Sequence, residues 1–184
     1  MTDITWNGAS GDWTEADDWT PAQVPASGDN ATIAGTGTIS VILGGGETAA
    51  VSGILLDNTN ATLEIDGLLN AETISLDAGT LANDGTIADA TLVLDGGTLS
   101  SGYGLYQGDT IVGPMEIGGS DTAVVQQGLT VLAADGTSPG TVTVDGDYAT
   151  LEFNDSETFD NATVVLGSAA GIDMLDTEGT LTLG

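Results

Sequence analysis

The chain has 184 residues, of which 28 are Asp or Glu and none is Lys, Arg, His or Cys, so its formal net charge is −28. That balance excludes several classes at once. Phosphate-contacting nucleic-acid binders and proteins drawn to anionic membranes need cations; Schiff-base lysines, Ser-His-Asp triads, thiol nucleophiles and ordinary zinc sites need residues that are absent. With 40% hydrophobic residues the chain is too apolar for disorder, and with 4% aromatics its core must be thin and aliphatic. The chemistry left is that of carboxylates, hydroxyls and hard cations held by oxygen. No run approaches the roughly 18 apolar residues of a membrane span.

The opening stretch from Met1 to Trp6 has no basic n-region and no apolar h-region, so it does not read as a secretory signal peptide. An exported protein with this start carries its address elsewhere, in a C-terminal, removed or missing segment. Residues 1–32 stand apart from the rest. They hold all three tryptophans, Trp6, Trp13 and Trp19, with Gly8 and Gly11 between the first two and Val24-Pro25 after the third. The expected role is a cap that closes one end of a repetitive β-structure, where apolar interior and unpaired backbone are otherwise exposed. The alternative is a carbohydrate-stacking platform with Asn7 and Gln23 as its polar groups.

Beyond residue 32 the chain becomes a series of short apolar triplets closed by Asp, Gly, Asn or Thr. In order these include Ile39–Leu43, Leu63–Ile65, Ile74–Leu76, Leu92–Leu94, Val142–Val144, Leu151–Phe153, Val164–Leu166 and Leu181–Leu183. Alternation over three to five positions followed by a turn signal predicts strands. Only the 45–52 region also fits a short helix.

Self-comparison supplies the architecture. Ile74-Ser75-Leu76-Asp77 with Gly79-Thr80-Leu81 recurs as Leu92-Val93-Leu94-Asp95 with Gly97-Thr98-Leu99, an offset of 18 that also carries Leu63 to Leu81 and Asp66-Gly67 to Asp84-Gly85. Further on, Thr141-Val142-Thr143-Val144 recurs from Thr163 and again from Thr180, at offsets of 22 and 17. Drifting repeats of strand-length pieces without helix predict a β-solenoid. The expected fold is a right-handed parallel β-helix: a cap and first strand over 1–32, then about 7–8 coils over 33–184, forming a rod of roughly 35–40 Å. An antiparallel sandwich accounts for the strands but not for the 18-residue offset.

The tryptophan segment resembles a known pattern. Trp6-x-Gly8-x-x-Gly11-x-Trp13-x(4)-Asp18-Trp19, followed by Val24-Pro25 and the strand leading to Ile33, is similar to the motif that opens the β-helix of autotransporter passengers and large repetitive bacterial surface proteins. The match spans residues 6–33, and Asp18 stands where that pattern usually has Asn. The resemblance implies a secreted or surface-exposed bacterial stalk, adhesin or matrix protein.

The acidic residues supply the candidate sites. Asp66 with Asp84 and Asp77 with Asp95 sit one coil apart, and Asp145 with Asp147 forms a local pair. Stacked carboxylates without a counter-charge repel, and Ca²⁺ takes six to eight oxygens of this kind, so these six residues are candidate calcium ligands. The competing reading makes them turn formers on a solvated surface. Gly44-Gly45-Gly46-Glu47 and Gly118-Gly119-Ser120-Asp121 are only fragments of the calcium-binding nonapeptide. Paired carboxylates also suit a glycosidase, but an acidic polysaccharide would find no cation to hold it, and the residues that could line a groove are few: Tyr103, Tyr106, Tyr148, Phe153 and Phe159. The favoured expectation is a structural, non-enzymatic fibre or biofilm-matrix subunit. It would join copies of itself head to tail, with Val164, Leu166, Leu181 and Leu183 of one copy against Ile4 and Trp6 of the next. The alternative is a stalk or adhesin that binds glycan or a host surface.

Overall fold

The computed structural model describes residues 2–159, 162–167, 174–177 and 180–183. The first strands in chain order are β1 (Asp3–Trp6), β2 (Ser10–Asp12), β3 (Trp19–Thr20), β4 (Asn30–Ala34), β5 (Ile39–Leu43), β6 (Thr48–Ile65), β7 (Leu68–Asn83), β8 (Thr86–Ala88), β9 (Thr91–Leu94) and β10 (Thr98–Ser100). They continue as β11 (Tyr103–Val112), β12 (Met115–Gly118), β13 (Thr122–Leu132), β14 (Gly140–Asp145), β15 (Thr150–Phe153), β16 (Glu157–Phe159), β17 (Ala162–Leu166), β18 (Met174–Thr177) and β19 (Leu181–Leu183). The fold is a β-solenoid of about seven turns, built from stacked parallel coils. Among the described residues the helical content is one 3-10 turn, Ala16–Asp18, and no helix is long and apolar enough to cross a membrane. The 45–52 region is a turn running into β6, not a helix.

Each coil is a triangle with three faces, and the longer strands bend around corners to serve two of them. Face I stacks β1, β4, the middle of β6 and of β7, β9, and the ends of β11 and β13. Face II stacks β2, β5, the end of β6, the end of β7 and β10, then resumes with β12, β14 and β17. Face III stacks the starts of β6 and β7, then β8, β11, β13, β15 and β18.

The register shows why so plain a sequence suffices. Ile4, Ala31, Ile54, Ile74, Leu92, Ile111 and Val131 form one continuous column on face I, and Leu69, Ile87, Tyr106, Val125 and Phe153 form another on face III. All of these are buried. Period-2 alternation delivers one inward side chain per position, and each fully buried Leu or Ile contributes about 1.5–3 kcal/mol. The 18-residue offset is a true rung register: Leu63 pairs with Leu81, Leu76 with Leu94, and Leu81 with Leu99. The 22-residue repeat is one too, since Thr141 pairs with Thr163. The 17-residue recurrence at Thr180 is not. β19 stacks on β16 of a different ladder, Leu181 opposite Glu157, so similarity there reflects strand composition rather than neighbouring rungs.

The tryptophans close the N-terminal end. Trp6 and Trp13 each meet Trp19 edge-on with ring centroids 4.9 Å apart, and Trp19 Nε1 donates to the Trp13 carbonyl at 2.8 Å. Gly8 and Gly11 are required by this packing. A Cβ at Gly8 would sit 3.1 Å from the Trp6 ring and the Asp18 carboxylate, and at Gly11 it would fall 2.4 Å from Asp18 Oδ2. The glycine spacing therefore makes room for Asp18 and Trp6 to fold over one tight strand.

The ladder is interrupted twice among the described residues. On face II, β10 pairs only with β7 and β12 only with β14. Pro114, immediately before β12, has no N–H to give a preceding rung. On face I, the sheet containing β13 does not continue into β16, and residues 133–139 protrude between β13 and β14. In that protrusion the Asp135 carboxylate accepts the Ser138 hydroxyl and the Ser138 and Thr137 amides, bonds that hold its pKa well below the usual carboxylate range.

Candidate functional site

The corner between faces II and III gathers acidic residues. Glu64 on β6, Asp66 in the turn after it and Asp84 one coil on bring three carboxylate oxygens within 4.8 Å of one another. Oxygens bound to one Ca²⁺ at about 2.4 Å lie up to about 4.8 Å apart, so this spacing is compatible with shared ligation. The glycines that follow the two Asp residues let the coils close up here. A Cβ on Gly67 would lie 2.5 Å from the Glu47 carbonyl oxygen, and one on Gly85 2.3 Å from that of Gly67. Asp84 Oδ1 also accepts the Tyr103 amide at 3.2 Å. Three like charges at such distances repel by about 1 kcal/mol per pair even in water, and the chain holds no cationic side chain to offset them.

Asp66 and Asp84, expected from the repeat, are thus together, and Glu64 joins them. Its signal was present in the sequence: two residues before Asp66, it lies on the same side of an extended strand. The other expected ligands lie elsewhere. Asp77 and Asp95 occupy successive rungs at the corner between faces I and II, where Ser75 Oγ donates to Asp77 Oδ1 at 2.7 Å. Asp145 ends β14 and Asp147 follows it, both exposed at the II–III corner but several coils beyond Asp84. Among the described residues, none of these four joins a three-carboxylate group.

The corner between faces III and I holds a different kind of carboxylate. Asp109 is buried, accepting the Ala90 amide across one coil at 2.7 Å and the Gln107 amide at 3.0 Å. The bulge between Gln107 and Asp109 turns this side chain inward, with Gly108 in the left-handed region at φ 72°. Burial pushes the Asp109 pKa up to about 7 despite its two amide bonds, and neighbouring Asp89 adds to the rise. The folded state therefore keeps this proton where the unfolded chain has lost it. Stability contributed by the group is full below about pH 4 and declines as pH rises toward 7, by about 1.4 kcal/mol per unit of difference. Denaturant titrations at pH 5 and pH 8 in high salt should show lower stability at pH 8, and Asp109→Asn should flatten that difference. A parent profile flat between those pH values contradicts this reading. Burial next to Asp155 also raises the Glu157 pKa, so the same titration on Glu157→Gln separates the two groups. On face III, burial pushes the Tyr106 hydroxyl up to about 12; it lies 3.0 Å from Ser101 Oγ.

Two expectations require correction. The tryptophan rings cannot serve as a carbohydrate platform beside Asn7 and Gln23, because Trp6, Trp13 and Trp19 are at most 2% exposed. Nor do Ile4 and Trp6 offer a joint to another copy. Both are buried, and β1 is already paired with β4 on one side and with β3 on the other, Thr5 meeting Thr32 and Thr20. At the opposite end, Val164 and Leu181 are partly buried against the core, while Val165 and Leu166 are 44% and 51% exposed. Leu183 pairs with Phe159 through β19, and its side chain lies outside the described residues. Comparison with protein-family models, curated proteins and solved structures finds no match to this chain.

Proposed function

We propose that the protein is a structural rod of an extracellular surface or matrix, stacking head to tail on further copies with calcium offsetting its acidic corners. The observation that carries this reading is a pair of complementary edges. β2 and β17 are the first and last described rungs of face II; among the described residues β2 pairs only with β5, and β17 only with β14. Placed beneath the next copy's β2, β17 continues the parallel ladder and covers Val164 and Leu166, whose rung partners Val142 and Val144 are buried. This is a heterologous contact that extends rather than closes. The joint thus falls on β2 rather than on the buried β1.

Calcium enters at Glu64, Asp66 and Asp84, as a bound ion that lowers their mutual repulsion. A site held at one hundred times its dissociation constant stabilises the fold by about 2.7 kcal/mol. Melting temperature should therefore fall when EDTA replaces millimolar calcium at matched ionic strength. The triple change Glu64→Gln, Asp66→Asn and Asp84→Asn should abolish that difference; equal melting of the parent in both buffers removes calcium from the account. Sedimentation velocity tests the stacking. The parent should form long particles in calcium, and a Leu166→Asp variant, at an inward position left 51% exposed in the single copy, should remain monomeric with unchanged circular dichroism. Fibres that persist in the variant leave the second reading, a surface-binding stalk, which the exposed rings of Tyr103 and Tyr148 favour, at 65% and 67% exposure.

A further inference from the structure

The interruption of face II opens a cleft of about 450 Å³ between β10 and β12. That volume falls within the range of small-molecule sites and exceeds what one hydrated cation fills. Its floor includes Leu94 and Leu99, and its polar lining comes from Thr98 and Ser100 on one side and Glu116 and Asp121 on the other. The facing edges of β10 and β12 are not bonded to each other, so backbone donors and acceptors also point toward the gap. Ser100 Oγ donates to Asp121 Oδ2 across it at 3.3 Å. Tyr103 does not line the cleft itself; it begins β11 three residues past Ser100, paired in register with Thr122 next to the lining Asp121, and is 65% exposed.

We propose that this cleft binds a neutral saccharide. Sugar hydroxyls both donate and accept, which suits a lining that mixes carboxylates, side-chain hydroxyls and free strand-edge groups. Glu116 and Asp121 take hydroxyl donors, the unpaired edges take the rest, and the exposed Tyr103 ring offers an apolar surface to one sugar face. Anionic sugars are repelled by the two carboxylates and by a chain with no cation. The proposal is independent of head-to-tail stacking, because the cleft lies within the coil stack and away from both β2 and β17.

Saturation-transfer NMR on the whole chain tests it, with glucose, galactose, mannose, N-acetylglucosamine and their β1,4-linked disaccharides as probes. Galacturonate, glucosamine and an extended alanine-threonine peptide serve as comparison arms. Binding of at least one neutral sugar is expected. Glu116→Gln and Tyr103→Ser, both at exposed positions, should each weaken it about tenfold, the first by loss of a charged hydrogen bond and the second by loss of the ring contact. Tyr148→Ser, at a ring outside the cleft, should leave it unchanged. The proposal is overturned if no neutral sugar binds at 10 mM (about 2.7 kcal/mol), if glucosamine or the peptide binds more tightly than every neutral sugar, or if both the Glu116 and the Tyr103 variants bind like the parent.

Discussion

Trp19→Ala should cost about 3–5 kcal/mol, the range for truncating a large buried aromatic whose site cannot collapse. Trp19 lies between the other two indoles, contacts both edge-on and is the one of the three whose indole N–H is hydrogen-bonded, to the Trp13 carbonyl. Its removal opens the cap and leaves that buried carbonyl without its donor, a penalty added to the cavity. Chemical denaturation should show a fall of this size, with early loss of protection in β1 to β5 by hydrogen exchange. Loss below 1 kcal/mol would mean that the cap does not close the coil.

Gly85→Ala is the second large effect, and it acts through the backbone. Its Cβ would lie 2.3 Å from the Gly67 carbonyl oxygen and 2.6 Å from the Asp66 carbonyl carbon, atoms that no side-chain rotation can move. The coils must part at that corner, at a cost of about 3 kcal/mol by analogy with severe overpacking. Gly45→Ala is the matched control: its nearest neighbour would be a carbonyl oxygen at 4.0 Å, so its effect should stay within about 0.5 kcal/mol. Similar melting of the two variants would contradict the close corner. Because the parting coils carry Asp66 and Asp84, Gly85→Ala should also weaken the calcium response.

The solenoid was legible because its core is assembled by repetition. Leu63, Leu81 and Leu99 declare the coil length in the sequence, and the same offset brings Asp66 over Asp84. Glu64 was readable from strand alternation alone. The ladder interruptions were harder to read. Pro114 removes one donor, but whether neighbouring rungs then separate depends on the whole turn between β11 and β12. The place of β1 is hidden for a related reason. Ile4-Thr5-Trp6 reads as an edge strand until β3 folds back antiparallel across it, a contact that no periodicity announces. Nothing in the sequence sets Asp109 apart from the other acidic residues, and only the bulge at Gly108 sends it inside.

Cysteine cross-linking tests the proposed assembly most directly, since the natural chain contains no cysteine to compete. Ser10→Cys marks the outer side of β2 and Thr163→Cys that of β17, both exposed. Adjacent rungs are about 4.8 Å apart, within the range a disulfide spans. In calcium under mild oxidation the double variant should give a ladder of covalent polymers, and mixing the two single variants should give only the mixed dimer. Dimers of Thr163→Cys with itself, or no cross-link while long particles are present, would contradict head-to-tail stacking through β17 and β2.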